Sequence, residues 1–384
     1  MDIILIANFL PDRQESMERF ALMLNDGLIS NGNNVQIWRP QPYFGRLAKT
    51  TLSGFGKWLG YIDKWIVFPL MMRWRVMKLG KKRQAVKFHI CDHSNAPYLA
   101  HLPIAQSSIT CHDVLAIRGG LGYKDAFVGA SRTGKIFQRW ILDNLLRSGK
   151  IACVSAFTLR QLIELAAAEE KEGERPCSDH WIVVHNAFNN QFVKLADEVA
   201  WPLLTRAGFY KNDSYLLHVG SDLPRKNRKM LLDMFAVLPD NKRPQKICFA
   251  GDKIDTELAA HASQLGIEHF IISVVKPDHQ TLLALYSYCE AFVFPSLSEG
   301  FGWPVIEAQA CGAPVIASEI DPMPEVSGGA ALHADPFSPQ AFAAAYIKIT
   351  NSDDRYVYIN KGLENAHRFN VELMISSYEK LFLA

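Results

Sequence analysis

The chain has 384 residues, 49% of them hydrophobic, which is ample for two cores and more than one compact domain usually holds. Its formal net charge of +2 implies no general affinity for nucleic acid. That mean hides an asymmetry: from Arg39 to Arg83 eleven Lys and Arg stand against one acid, Asp63, a local +10 that leaves −8 for the rest and makes an address for something anionic.

Ile3 to Ala7 reads as a buried first strand, too short and without the charged leader of a signal peptide. A loop, Asn8 to Gln14, follows. Met17, Phe20, Ala21, Leu24 and Leu28 then recur at helical spacing until Asn31-Gly32 stops the helix. Val35 to Trp38 is the next strand, which completes the β-loop-α-β unit of a parallel, doubly wound sheet. Residues 43–83 mix aromatics and bases. Their longest apolar run, Trp65 to Met72, is eight residues, where a bilayer span takes roughly twenty. Residues 88–90, 107–111 and 151–154 are predicted as short buried strands, Ala156 to Ala168 as a helix, and Trp181 to Val184 as a strand.

A second series begins at Tyr215 to Val219, with a helix from near Asn227. Ile247 to Ala250 is a strand and Gly251 its turn. Residues 278–288 read as a helix, Ala291 to Phe294 as a strand. Pro304 suits the first turn of the helix that follows; Gly312 ends it, and Pro314 to Ala317 is the next strand. Asp353-Asp354, beside Ser352, reads as a solvent turn. Two α/β series joined near residues 187–213 predict two doubly wound domains facing each other across a cleft, with ligands at the carboxyl ends of the strands. The seven cysteines, at 91, 111, 153, 177, 248, 289 and 311, form no CxxC pair and are odd in number. That predicts neither a disulfide framework nor a zinc site, and fits a reducing cytosol.

In the stretch Pro295 to Ile316, Glu299 and Glu307 stand eight positions apart around Gly300-Phe301-Gly302. The glycines let backbone approach a ligand, and free N–H groups at a helix start favour an anion. Two carboxylates beside amide donors suit a polyol joined to a phosphate, such as a nucleotide sugar. Spacing alone fits a capping loop with an ordinary surface glutamate equally well. In His218 to Asn227, two cations, Arg225 and Lys226, stand between a strand end and a helix. They suit a diphosphate leaving group, or else make a solvated basic turn. Ser107 to Asp113 ends a strand in His112-Asp113.

These stretches, with Gly312 to Ser318, Pro324-Glu325-Val326 and Asp335-Pro336, resemble the E-x7-E retaining glycosyltransferases of the GT-B fold, specifically glycosyltransferase family 4 (glycosyltransferase group 1). The resemblance covers most of residues 214–340 and fits more loosely at 1–38, 107–120 and 150–190. It implies an α/β GT-B fold of two Rossmann-like domains around a central cleft: 1–190 for the acceptor, with a C-terminal helix, 368–384, crossing back, and 191–367 for the donor. It implies that Glu307 binds the donor ribose and Glu299 the transferred sugar, while the amides of Gly300, Phe301 and Gly302 line the sugar and phosphate. Gly220, Ser221, Arg225 and Lys226 fall at the diphosphate. Ser221 stands where the family often has an Arg, and whether Arg225 replaces that cation is left open. His112 falls near the sugar's anomeric carbon, and Asp113 either orients it or caps the next helix. Gln14-Glu15-Ser16 replaces a family Gly-Gly pair, which leaves Arg13 and Glu15, with Asp113, as acceptor-side candidates.

The reaction so implied moves a sugar, with retention, from a nucleoside-diphosphate sugar to an acceptor hydroxyl, without cofactor or metal. The Pro-Arg-Lys-Asn similarity points to mannose from a GDP donor, and the family to lipopolysaccharide or exopolysaccharide synthesis. Between residues 55 and 83, Phe55, Trp58, Tyr61, Trp65, Phe68 and Trp74 interleave with bases, as in a segment lying in a bilayer interface. The competing reading is core helices with snorkelling bases; no RNA-binding module matches. A lipid-linked or oligosaccharide acceptor and a cytoplasmic protein, peripheral on the inner face of the membrane, follow as expectations. A sugar-nucleotide epimerase, a phosphorylase and a non-catalytic scaffold subunit of a polysaccharide assembly are the alternatives.

Overall fold

The computed structural model describes residues 1–169, 180–188, 190–211 and 213–384. Cys177 lies outside them; the six described cysteines are free and buried. The chain divides into two compact units, Met1–Tyr123 with Gly129–Asn189 and Val371–Ala384, and Lys124–Val128 with Asn190–Asn370.

The described residues of the first unit hold six parallel strands: β1 (Asp2–Ile6), β2 (Asn34–Trp38), β3 (Val86–Ile90), β4 (Ser107–Cys111), β5 (Lys150–Cys153) and β6 (His180–Val183), in the order β2-β1-β3-β4-β5-β6. The order reverses at β1, where Ile4 faces Gln36 on one side and Phe88 on the other. Ile3 to Ile6 are all buried because helices cover both faces of a parallel sheet. Helix Glu15–Ser30 buries Phe20, Ala21, Met23, Leu24 and Leu28. The last helix, Val371–Leu383, packs on it at Gly27, where a Cβ would meet the Ile375 side chain at 2.5 Å. Its Tyr378 hydroxyl shares a 2.8 Å hydrogen bond with Thr110 of β4.

The aromatic, basic stretch is helical. Gly54–Ile62 runs through a wider π turn, Asp63–Val67, into Phe68–Lys78. The reading of core helices holds for Phe68 and Met72, which join the core, while Phe55, Trp58 and Trp74 are exposed.

In the second unit the parallel strands are β7 (Tyr215–Gly220), β8 (Lys246–Gly251), β9 (Ile271–Val275), β10 (Ala291–Phe294), β11 (Val315–Ser318) and β12 (Ala331–Ala334), in the order β12-β11-β10-β7-β8-β9. One expectation is corrected here. Asp353 and Asp354 occupy the first turn of helix Ser352–Ala366, not a solvent turn; the Asn351 side chain caps it by accepting from the Asp353 N–H (3.2 Å). Two carboxylates there meet the positive end of the helix dipole.

Candidate active site

In the second unit, the loops after β7 and β10 meet. Pro224–Lys226 makes a single tight turn, and Asn227 then takes a left-handed backbone, φ 52°. The Asn227 amide donates to the carbonyls of Pro295 (3.1 Å) and Pro336 (2.8 Å), and the Leu297 N–H donates to the Arg225 carbonyl (2.8 Å). These bonds fix the two cations against the rim that carries Glu299.

The result is a charge triad in which Glu299 and Lys226 are buried and Arg225 is half-buried. Lys226 Nζ lies 2.6 Å from Glu299 Oε1, and Arg225 Nη1 lies 2.7 Å from Oε2. Arg225 also donates to the Ser298 carbonyl (2.9 Å). Burial alone would raise the Glu299 carboxyl, but Lys226 and Arg225 together hold it below its ordinary value. Burial draws Lys226 below the usual lysine value against the pull of Glu299, and the short bond to an ionised carboxylate keeps it an ammonium. Arg225 thus supplies a second cation, four positions beyond Ser221.

Gly302 has φ 99° and opens helix Trp303–Ala310, with Pro304 in the first turn. The left-handed backbone of this loop falls at Gly302, and Phe301 is packed edge-on against Phe369 at 5.6 Å. Gly300 precedes them, buried. One turn into the helix, Glu307 accepts from the Tyr286 hydroxyl (3.0 Å), and its charge also reaches Lys226. Gly220 closes β7; a Cβ there would meet His218 Nε2 at 3.3 Å and the Lys226 stem at 3.7 Å.

Sequence reading did not include His218 itself. Its Nδ1 donates to the Val293 carbonyl (3.1 Å), so Nε2 is an acceptor, and no hydrogen bond reaches it. Burial pushes this imidazole down to about 3, so it is neutral beside Lys226. Ser296 Oγ, on the neighbouring strand end, is likewise buried without a partner. Two unsatisfied polar atoms under a cationic loop are places where a ligand or water would add hydrogen bonds.

The remaining candidates belong to the first unit. His112 follows β4, is buried, and donates from Nε2 to the Cys91 carbonyl (2.9 Å), which leaves Nδ1 as the acceptor. Burial lowers its pKa, with Asp92 opposing. Asp113 accepts from the N–H of Leu115 (2.9 Å), the first residue of helix Leu115–Leu121, whose N-cap is Val114. Arg13 and Glu15 line a cavity of about 320 Å³ with Asn8, Phe9, Gln14 and Glu18. Around it lies a network that sequence reading missed. The Asn8 amide donates to Gln14 and to Asp92 Oδ2 (2.6 Å), Asn95 donates to Asn8 (3.0 Å), and Ser94 donates to Asp92 through both N–H and hydroxyl. Burial raises the Asp92 carboxyl, but His93, His112 and these donors bring it below its ordinary value. Asn8 and Asp92 follow β1 and β3, on either side of the point where strand order reverses.

Comparison with known proteins bears on this arrangement. Residues 203–365 match the family model described as glycosyl transferases group 1. The chain is 34% identical over 165 residues to the O-antigen chain mannosyltransferase B of Escherichia coli, which is 41% of this chain and 42% of that protein. It is 24% identical over 316 residues to the O-antigen chain mannosyltransferase RfbU of Salmonella typhimurium, 82% and 78% of the two chains. It spans less than half the length of several curated relatives. The Anabaena protein HepE, solved in complex with UDP, superposes with a TM-score of 0.70 at 15% identity over 99% of both chains. At that identity the likeness concerns the fold, which is GT-B. Over most of the second unit, the chain is thus similar to the glycosyl transferases group 1.

Proposed function

We propose that this chain is a retaining glycosyltransferase that moves mannose from GDP-mannose to a saccharide hydroxyl of a growing, lipid-borne surface polysaccharide. The observation that carries the reading is the Arg225–Glu299–Lys226 triad, centred on a buried carboxylate, on the rim before helix Trp303–Ala310. Two fixed cations beside a helix start and an ionised carboxylate match the two halves of a sugar diphosphate. The mannose and the acceptor class are supported by the names of the relatives.

In this reading the donor diphosphate takes over the two cations, and the freed Glu299 accepts from hydroxyls of the sugar. The bond from the anomeric carbon to the β-phosphate oxygen breaks. The acceptor oxygen bonds to that carbon from the same face, and its proton passes to the departing phosphate oxygen. Products are the nucleoside diphosphate and the glycoside. Glu307 holds the ribose, and the charge of Arg225 and Lys226 offsets that of the leaving group, so turnover continues in a chelator. A lipid-borne acceptor places the reaction on the inner face of the cytoplasmic membrane.

The test is release of GDP from GDP-mannose, against UDP- and ADP-sugars, with a water-soluble oligosaccharide acceptor. Release from GDP-mannose that falls at least about a hundredfold in both Lys226→Ala and Glu299→Ala is the expected result, the size of losing one charge-stabilising group. Equal turnover in parent and variants rejects the site. Turnover with a UDP-sugar alone rejects the donor.

A further inference from the structure

Residues 54–78 of the first unit form one nearly continuous helix with two apolar faces. The inner face, with Gly56, Gly60, Phe68, Met72 and Val76, is buried. The outer face carries Phe55, Trp58, Ile66, Leu70, Trp74 and Met77, each between 51% and 76% exposed. Large apolar side chains are common singly on a protein surface, but a row of six is not. Steps of four residues overshoot an α-helical turn by about 40° each. The π turn at Asp63–Val67 absorbs one extra residue and brings Ile66, Leu70 and Trp74 back into line with Phe55 and Trp58.

The charge around this stripe has one sign. Asp63, the lone acid between residues 40 and 91, is fully buried and accepts from the N–H groups of Phe44 (3.0 Å) and Gly45 (2.8 Å). Lys57, Arg73, Lys78, Lys81, Lys82 and Arg83 are all exposed. The Lys78 ammonium sits 3.6 Å from the centre of the Trp74 ring. The neighbouring helix Arg132–Leu145 widens the face with Ile136, 73% exposed, and joins it through Trp140 against Trp65 at 5.2 Å.

We propose that this face docks on an anionic lipid bilayer, with the stripe sunk to the boundary between headgroups and acyl chains and the bases on the headgroups. No helix among the described residues is long and apolar enough to cross a membrane, so the contact lies in the interface plane. A second copy of the same face would set base against base. A nucleic acid would engage the bases and leave six apolar side chains in water. The inference deepens the reading of a lipid-borne acceptor, and binding is measured without donor or acceptor, so each fails separately.

The experiment floats the full chain with vesicles of phosphatidylcholine alone and of phosphatidylcholine mixed with phosphatidylglycerol. Selective flotation with the anionic vesicles, weakened by salt, is expected. Combined Lys81→Gln, Lys82→Gln and Arg83→Gln should weaken it about a hundredfold, and combined Phe55→Gln, Ile66→Gln and Leu70→Gln at least about tenfold. Acyl chains brominated near the headgroup, which quench indole fluorescence on contact, should quench the parent and give a readout free of variant folding. Equal binding to both vesicles, an apolar variant that binds as the parent does, or absence of quenching overturns the proposal. So does a dimer in the parent that the apolar variant abolishes without any flotation, which would assign the face to a second copy.

Discussion

Glu299 holds two cations in a place largely shielded from water, and this sets what each substitution does. Removing one member of a buried ion pair leaves an uncompensated charge, at a cost of about 3–5 kcal/mol. Glu299→Ala turns Arg225 and Lys226 toward each other with nothing between, so the second unit should lose about 3 kcal/mol in urea unfolding. Lys226→Met leaves Glu299 one partner, Arg225, and should cost less. The double variant Lys226→Met, Glu299→Gln removes both charges, and its loss should be clearly smaller than the sum of the single ones. Strict additivity would show that the two groups do not depend on each other. Activity separates from stability here: the double variant should fold well and transfer no sugar.

The loop and helix from Glu299 to Ala310 are one element, held at both ends. At the far end Gln309 is fully buried and donates to the carbonyls of Ser327 (3.1 Å) and Ala330 (3.2 Å), while Asn365 donates to its oxygen (2.8 Å). At the near end Gly302 combines a left-handed backbone with a close neighbour: a Cβ would lie 2.6 Å from Met323 Cε. Gly302→Ala should therefore destabilise twice over, by about 1–2 kcal/mol for the backbone and by a further amount for the contact. Met323→Ala added to it should restore the contact part only, read as a partial recovery of melting temperature. Full recovery would mean that the backbone there is not strained. The loop's glycines and the proline after them are local signals, and they were legible in sequence. The helix 54–78 was not. Its outer face is nearly as apolar as its inner one, which erases the contrast that marks an amphipathic helix, and the π turn shifts the period halfway along.

At the scale of the whole molecule, legibility followed burial and chain distance. Strands β1, β7 and β10, buried through most of their length, show as unbroken apolar runs. Edge strand β9 mixes half-buried and exposed positions with no buried one, and β12 is four residues with a histidine in it, so both escaped. Lys226, Glu299 and Glu307 stood out as types at strand ends, but nothing local says that two cations share one carboxylate, since 73 residues separate Lys226 from Glu299. The Asn8–Asp92 bond spans 84 residues and exists because β1 and β3 are neighbours. The same folding that buries polar groups makes both units sensitive to acid. His89 in the first unit lies between the hydroxyls of Ser108 (2.8 Å) and Thr110 (2.9 Å), and burial pushes it down to about 3. His218 in the second is held equally low. Unfolded, either imidazole takes its proton near pH 6.5; folded, it refuses it until about pH 3. Stability from these groups is thus whole above pH 6.5 and falls as pH drops toward 3, by about 1.4 kcal/mol per pH unit for each. Burial lowers His112 and His333 as well, in the same direction. Between pH 7 and 5, above the range where carboxylates titrate, each unit should lose about 2 kcal/mol from its central histidine. Calorimetry across that range should show melting temperatures falling with pH, and His89→Gln, which cannot titrate, should flatten the slope of the first unit while leaving that of the second. A melting temperature that holds level from pH 7 to 5 would mean that these imidazoles open to solvent in the folded protein.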